Sequence, residues 1–431
     1  MRSWPFHLYW NCFPSKTAHR ESYNSVDSLF QKVKLGGVMK RLMLAAVLMA
    51  IAAVVLFSAQ KAPDLVAAQI ARIEGPQAPN RQGFDPYTIP EMMKRFHVPG
   101  VSIAVVKDFQ VQWTKAYGLA DVVTDAPVTP ETRFQAASIS KPVTAFAVLR
   151  TVDAGKLSLD ENVNKYLKRW KVPDNEYTRA GVTLRALLSH TSGTGDRFGF
   201  PGYNPSAKLP TLEQILDGKP PSNVGPVFWE RPPFTAQKYS GGGLEIVQMV
   251  LEDVYDRPFA EIMQELVLGP AGMTQSTYQQ PLSPAADQSA ARAHDRDGKA
   301  MDAKWHVYPE QAAAGLWTTP SDLATLGIEL QKALRGESKL LSRGTALELA
   351  APVGTGSFAI GFGIEKRGEG WYFTHSGGNW GFSCDLLMHR LKGYGVVVMT
   401  NSDSGGQIIT EIEGRVAAAE IWDSLDKPVP R

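Results

Sequence analysis

Ser138-Ile139-Ser140-Lys141 places a hydroxyl and an amine three residues apart. Positions i and i+3 share a helix face, so the lysine can reach the serine. A lysine in a low-dielectric site can lose its proton and serve as base to a nucleophile. The surrounding QAASISKPVTAF puts Ser138 after Ala-Ala and ahead of a helix-forming run, which predicts a place at or near a helix N-terminus. That end favours a developing alkoxide, and Pro142 is tolerable only in a first turn. The spacing alone decides little. Roughly one or two S-x-x-K matches arise by chance in a chain of this length, and Ser58-Ala59-Gln60-Lys61 also fits.

Two further stretches add weight. KYSGGG, Lys238 to Gly243, sets Tyr239 before a glycine turn that opens a helix. FTHSGGNWGF, Phe373 to Phe382, sets His375-Ser376-Gly377-Gly378 at the end of one strand and just before another. A serine, a lysine and a tyrosine near helix starts, beside a glycine-rich strand end, are suitable parts for acyl transfer. Each has a plainer reading. A lone tyrosine before a glycine turn is more often a core aromatic, and a lone strand histidine is usually structural. His190 in LLSHTSG reads as a helix C-terminal cap and loop organiser, and Trp317 and Trp380 read as packing residues.

The elements that must position these residues follow from periodicity. Ile89 to His97 reads as a short helix. Val101 to Val106 and Val111 to Tyr117 read as a hairpin turning at Lys107-Asp108. From Ala145 to about Pro270 the pattern is mostly helical. Leu244, Val247, Val250, Leu251 and Val254 share one face of a helix that ends before Arg257-Pro258. Thr319-Pro320-Ser321-Asp322 reads as a capping box opening a helix to about Leu334. Strands are expected at Ala359–Ile364, Trp371–His375, Phe382–His389 and Tyr394–Thr400, then a helix from Gly405 to Trp422. Strands at both ends with helices between imply an α/β (α+β) fold: an antiparallel sheet built from both chain ends, with a mostly helical region inserted.

In this order, S-x-x-K, Y-S-x and H-x-G resemble the serine β-lactamase and penicillin-binding protein superfamily, closest to class C β-lactamases and family VIII carboxylesterases. LLSHTSG (Leu187 to Gly193), GPAGMTQSTY (Gly269 to Tyr278) and AAAGLWTTPSDLA (Ala312 to Ala324) are similar to blocks of the same family. The resemblance spans about Pro86 to Trp422. It implies Ser138 as nucleophile, Lys141 as the group assisting its deprotonation, and Tyr239 as acid/base to leaving group and water. The backbone N–H groups of Ser138 and Gly378 would form the oxyanion hole, each donor worth ~10²–10³ in rate. His375, Ser376 and Gly377 would line the substrate. The implied substrates are an ester, an amide, a β-lactam or a small D-amino-acid peptide, the last acted on by a D,D-peptidase or D-aminopeptidase. A non-catalytic exported binding or sensor protein on this scaffold should lack Ser138, Lys141 or Tyr239, and all three are present.

Two departures bear on substrate. Gly241 stands where many β-lactamases carry asparagine, and His375 where many carry a lysine that meets the drug's carboxylate. An ordinary imidazole, with a pKa near ~6.5, is mostly neutral at pH 7 and should gain charge towards pH 6. Both departures weaken recognition of anionic β-lactams.

Composition excludes other classes. In 431 residues the net charge is +2, which gives no reason to expect nucleic acid. The two cysteines, Cys12 and Cys384, form no zinc spacing, and no H-E-x-x-H occurs, so no metal or other cofactor is implied. G-x-S-x-G is also absent, leaving no nucleophile elbow of the α/β-hydrolase type. Lys40-Arg41 ahead of the unbroken apolar run Leu42 to Phe57 has the pattern of a signal peptide or signal anchor over residues 39–62. Export to the periplasm or beyond, with or without a retained anchor, is the expectation. Met39 suggests an alternative start, with residues 1–38 an extension. The catalytic domain is expected over 83–431, its α/β part over about 83–150 and 310–431 and its helical part over about 150–310.

Overall fold

The computed structural model describes residues 45, 46, 49, 65–77, 86–196, 199–354 and 356–423. The chain divides into two compact units, Met1–Ala67 and Ala68–Arg431. Residues 1–38 and Ser58 to Lys61 lie outside the described residues, and of the apolar run only residues 45, 46 and 49 are described, as helix. Among the described residues no helix is long and apolar enough to cross a membrane.

In the second unit, helix α1 (Ile89–Arg95) opens on a reciprocal capping box between Thr88 and Glu91. Strand β1 (Gly100–Lys107) then pairs antiparallel with β2 (Gln110–Asp121), and a short β3 (Ala126–Pro127) flanks β2. The sheet is completed from the far end of the chain by β6 (Gly363–Arg367), β7 (Gly370–Asn379), β8 (Phe382–His389) and β9 (Gly395–Thr400), after the separate pair β4 (Phe134–Gln135) and β5 (Trp317–Thr318). The seven strands run in the order β3-β2-β1-β9-β8-β7-β6. β1 and β9 close the two chain ends together, Val101 opposite Thr400 and Val105 opposite Val396.

The helices that matter for the site are α2 (Ser140–Asp153), α3 (Leu184–Leu188), α4 (Gly242–Tyr255), α5 (Gln311–Ala314), α6 (Pro320–Leu334) and α7 (Gly405–Ala419). α6 packs on β1 and β9, and α7 on β8 and β9. β9 is buried along its whole length, as a strand covered on both faces must be. That explains its unbroken apolar sequence.

Three local expectations are corrected. The described chain between α2 and α4 is mostly loop, with helix only at Leu184–Leu188, Leu212–Asp217 and one short 3₁₀ turn. Its proline and glycine clusters, KPPSNVGP and WERPPF, cannot sustain longer helices. The strand expected at Ala359–Ile364 begins only at Gly363. Gly361, at φ +84°, turns the chain first and bonds its N–H to Leu188 O at 3.0 Å. The capping box at Thr319 is half formed. Thr319 accepts from Asp322 N, but the Asp322 carboxylate turns to Gln275 N (2.8 Å) and Ser276 Oγ (2.7 Å).

Candidate active site

From β4 the chain passes through a 3₁₀ turn, Ala137–Ile139, straight into α2. Ser138 therefore sits in a tight turn at the N-terminal end of α2. Its neighbour Ala137 has φ +48°, a left-handed conformation that costs a residue with a Cβ and persists only when its surroundings impose it. They do so at several points. Ser140 Oγ donates to Ala137 O at 2.6 Å and accepts from Leu316 N at 3.0 Å. Ala136 N bonds Leu316 O at 2.9 Å, and the buried Cys384 thiol donates to Ala136 O at 3.1 Å.

Lys141, only 2 % exposed, reaches back along the helix face. Its Nζ donates to Ser138 Oγ at 3.0 Å and to Ala313 O at 2.9 Å. The AAAGLW block thus supplies the second anchor of the lysine. The same Nζ lies 4.9 Å from the centroid of the Tyr239 ring. Tyr239 immediately precedes the turn into α4, and that turn is held by Asp196. The Asp196 carboxylate accepts from Ser240 Oγ at 2.7 Å and from Gly242 N at 2.9 Å.

His190 belongs to this group, which its motif did not reveal. Ser189 is the cap residue of α3, and His190 follows at φ +59°. Its ring stacks on Tyr239, its Nδ1 accepts from Ser240 N at 3.2 Å, and its carbonyl accepts from Lys238 N at 2.8 Å. Complete burial holds its pKa well below the usual histidine range, with the Lys141 charge adding to the effect. It organises the loop, as its sequence suggested, but the cap of α3 is Ser189 and not His190 as expected; the imidazole lies directly against the tyrosine.

On the other side β7 runs against the Ser138 turn. A Cβ on Gly377 would lie 2.3 Å from Ala136 O and 2.7 Å from Cys384 Sγ, so only glycine permits this approach. A Cβ on Gly378 would meet nothing within 4 Å. Beyond it, Asn379 Nδ2 donates to Gln135 Oε1 at 2.9 Å and Ala314 O at 3.0 Å, tying the strand end to β4 and α5.

His375 is nearly buried, at 6 % exposed, with its ring centroid 6.1 Å from that of Tyr239 and 5.9 Å from that of Phe358. Nδ1 bonds Ser376 O at 2.6 Å, and Nε2 is buried without a hydrogen-bond partner. Desolvation, with the Lys141 charge, pushes its pKa down to about 3. The expectation that it gains charge towards pH 6 is therefore corrected. Ser376 is exposed.

Gly241 has a physical reason as well. A Cβ there would lie 2.7 Å from the Phe200 ring, which fills the space an asparagine would use. Trp317 is fully buried and meets Phe382 and Trp305 edge-on, while Trp380 stacks on His306 at 3.8 Å. Both pack. Among the described residues no group of three or more His, Cys, Asp or Glu is placed to hold a metal ion.

Ser138, Lys141, Tyr239 and His375 are thus brought together between a seven-stranded sheet and the helices α2, α4 and α5, as in the serine β-lactamase and penicillin-binding protein superfamily. The Beta-lactamase family model matches residues 88–419, and the chain belongs to that family. It is 24 % identical over 322 residues to Protein flp of Staphylococcus aureus (strain MRSA252), covering 72 % of this chain and 61 % of that protein. The chain thus spans about three fifths of the length of that relative. Among solved structures it is similar to an octameric penicillin-binding protein homologue from Pyrococcus abyssi, with a TM-score of 0.62 at 23 % identity over 79 % of this chain and 78 % of that one. The D-amino acid amidase of Ochrobactrum anthropi SV3 has a TM-score of 0.62 at 21 % identity, over 82 % of this chain and 99 % of that one. At these identities the two structures speak for the fold.

Proposed function

We propose that the protein is a serine hydrolase that cleaves an ester, amide or β-lactam carbonyl through an acyl-enzyme on Ser138. The observation that carries this reading is the bond from Lys141 Nζ to Ser138 Oγ at 3.0 Å, with the Tyr239 ring beside the same nitrogen. Ser138 Oγ attacks the carbonyl carbon, and its proton passes into the Lys141–Tyr239 pair. The carbonyl oxygen gains the electron pair and is held by the N–H groups of Ser138 and Gly378. When it collapses, the bond to the leaving group breaks and Tyr239 returns the proton to that group. Water then repeats the sequence on the acyl-enzyme and frees Ser138.

The site favours neutral substrates. Imidazole at position 375 supplies no fixed positive charge for a carboxylate, and Phe200 occupies the space of an asparagine at 241. An amide or short D-amino-acid peptide is the second reading, supported by the fold shared with a D-amino acid amidase. The apolar run after Lys40-Arg41 supports work outside the cytoplasm, free or anchored. The test is a panel of short-chain p-nitrophenyl esters, a chromogenic cephalosporin and D-amino-acid peptides, assayed with wild type and Lys141→Arg. Arginine cannot act as a neutral base, so the variant should fold and lose activity on every substrate. Substantial turnover by folded Lys141→Arg would remove the lysine from the mechanism.

A further inference from the structure

Four rings meet beside Ser138, two of them inner and two outer. His190 and His375 are buried, whereas Tyr239 and Phe358 are half-buried. The Phe358 ring meets all three others, with centroids 4.9 Å from His190, 5.9 Å from His375 and 5.9 Å from Tyr239. In the proposed reaction Tyr239 moves a proton, and Phe358 has no part. Its backbone is nonetheless tied to the segments that carry its neighbours. Ser357 N donates to Gln237 Oε1 at 2.9 Å, two residues before Tyr239. Gly361 N donates to Leu188 O at 3.0 Å, two residues before His190, and Phe358 O accepts from Val353 N at 2.9 Å. The ring is held against the two histidines.

His375 shows what the ring covers. Its Nδ1 lies 2.6 Å from Ser376 O, and a carbonyl only accepts. Nδ1 therefore carries the proton of the neutral ring, and Nε2 keeps the lone pair. Nε2 is buried without a hydrogen-bond partner. A proton taken up there would place an unpaired charge in an apolar setting.

We propose that Phe358 sets the charge selectivity of the site: its ring shields His375 Nε2 from water, so the imidazole stays uncharged and a carboxylated substrate finds no cation there. The substrate class so selected is a neutral ester or amide. The proposal rests on the reading of Ser138 as nucleophile and of His375 as a residue beside the substrate. Lys141, on α2, has its Nζ 4.9 Å from the Tyr239 centroid, and its charge opposes a second cation at 375. His190, after α3, is kept neutral by burial. Asp385, on β8, accepts from Thr374 Oγ1 at 3.3 Å. Adjacent strand residues point to opposite faces, so this carboxyl lies across the sheet from His375. Burial is the larger cause that keeps His375 neutral and Lys141 the smaller. Removal of the phenyl ring weakens the first and leaves the second.

Two readouts test this in wild type and Phe358→Ala. Diethyl pyrocarbonate acylates the free nitrogen of an uncharged imidazole. After brief treatment at pH 7, peptide mass spectrometry should find His375 unmodified in wild type and modified in the variant. The second readout is the concentration of a carboxylated cephalosporin that halves hydrolysis of a neutral p-nitrophenyl ester. It should fall about fivefold from pH 7 to 5 in Phe358→Ala, as one charge-assisted contact forms, and stay constant in wild type. A packing role alone would slow the ester without making the competitor depend on pH. Equal modification of His375 in the two proteins overturns the proposal, as does a competitor without pH dependence in the variant. Absence of ester hydrolysis in wild type, or fluorophosphonate labelling of Ser138→Ala, would instead overturn the reading beneath it. If Phe358→Ala does not fold, Phe358→Val decides by the same two readouts.

Discussion

The imidazole of His190 stacks on the ring of Tyr239, with centroids 4.2 Å apart and planes inclined by 30°. The same imidazole accepts the N–H of Ser240. One side chain therefore fixes both the face of the tyrosine and the turn that follows it. His190→Ala should lower kcat by about ten- to a hundredfold with little change in KM, since misplacing a reacting group costs rate more than binding. Steady-state kinetics on a p-nitrophenyl ester check this. An unchanged kcat would make the stack incidental.

Gly377 and Gly378 are adjacent but differ in what a methyl group would meet. At 377 it meets Ala136 O at 2.3 Å, and at 378 it meets nothing within 4 Å. Gly377→Ala should push β7 and the Ser138 turn apart, with a loss of about 1–3 kcal/mol from overpacking and of most activity. Gly378→Ala should melt within a few degrees of wild type. Thermal unfolding of the pair, side by side, decides the point.

This contrast shows what could be read from the sequence. The order Ser138–Lys141, Tyr239, His375-Ser376-Gly377-Gly378 named residues that the fold brings close together, because each piece keeps a local signature: helix start, glycine turn, strand end. The sheet from both chain ends was equally visible in the alternation of strand-like and helical stretches. His190 was recognised as a loop organiser but not as the platform for Tyr239, because stacking between distant segments leaves no periodic trace. α4 shows another limit: it is buried on nearly all sides from Gly242 to Leu251, so a stripe of apolar residues did not mark a single inner face. Phe200 lay in a stretch read as helix that is a loop, and nothing local joins it to Gly241.

Phe200 bears on specificity. Gly241→Asn alone should leave cephalosporin turnover unchanged, because the phenyl ring lies only 2.7 Å from the position of the new Cβ. Gly241→Asn with Phe200→Ala should raise kcat/KM for a chromogenic cephalosporin relative to a neutral ester, by about five- to thirtyfold for one added hydrogen bond worth ~1–2 kcal/mol. A gain in the single variant as large as in the double would show that Phe200 does not control the space.

His375 supplies a prediction about pH. Its folded pKa of about 3 lies far below the ordinary value, so it stays neutral in the folded protein through pH 5. The ratio of cephalosporin to ester hydrolysis should therefore be flat from pH 7 to 5. A group with a depressed folded pKa contributes stability that is present above its unfolded value, near ~6.5. That stability is lost progressively as pH falls from there towards about 3. His375→Gln should accordingly lose less Tm than wild type between pH 7 and 5. A preference for the anionic substrate that rises on acidification would place charge on His375 and contradict its burial.

Ser138, held by Lys141 at 3.0 Å, is the residue we propose forms the covalent intermediate. The most direct test of this role is peptide mass spectrometry of the protein after reaction with a fluorophosphonate. One adduct is expected, on Ser138, formed in step with loss of esterase activity and absent in Ser138→Ala. An adduct on another residue, or full inactivation with Ser138 unmodified, would contradict it.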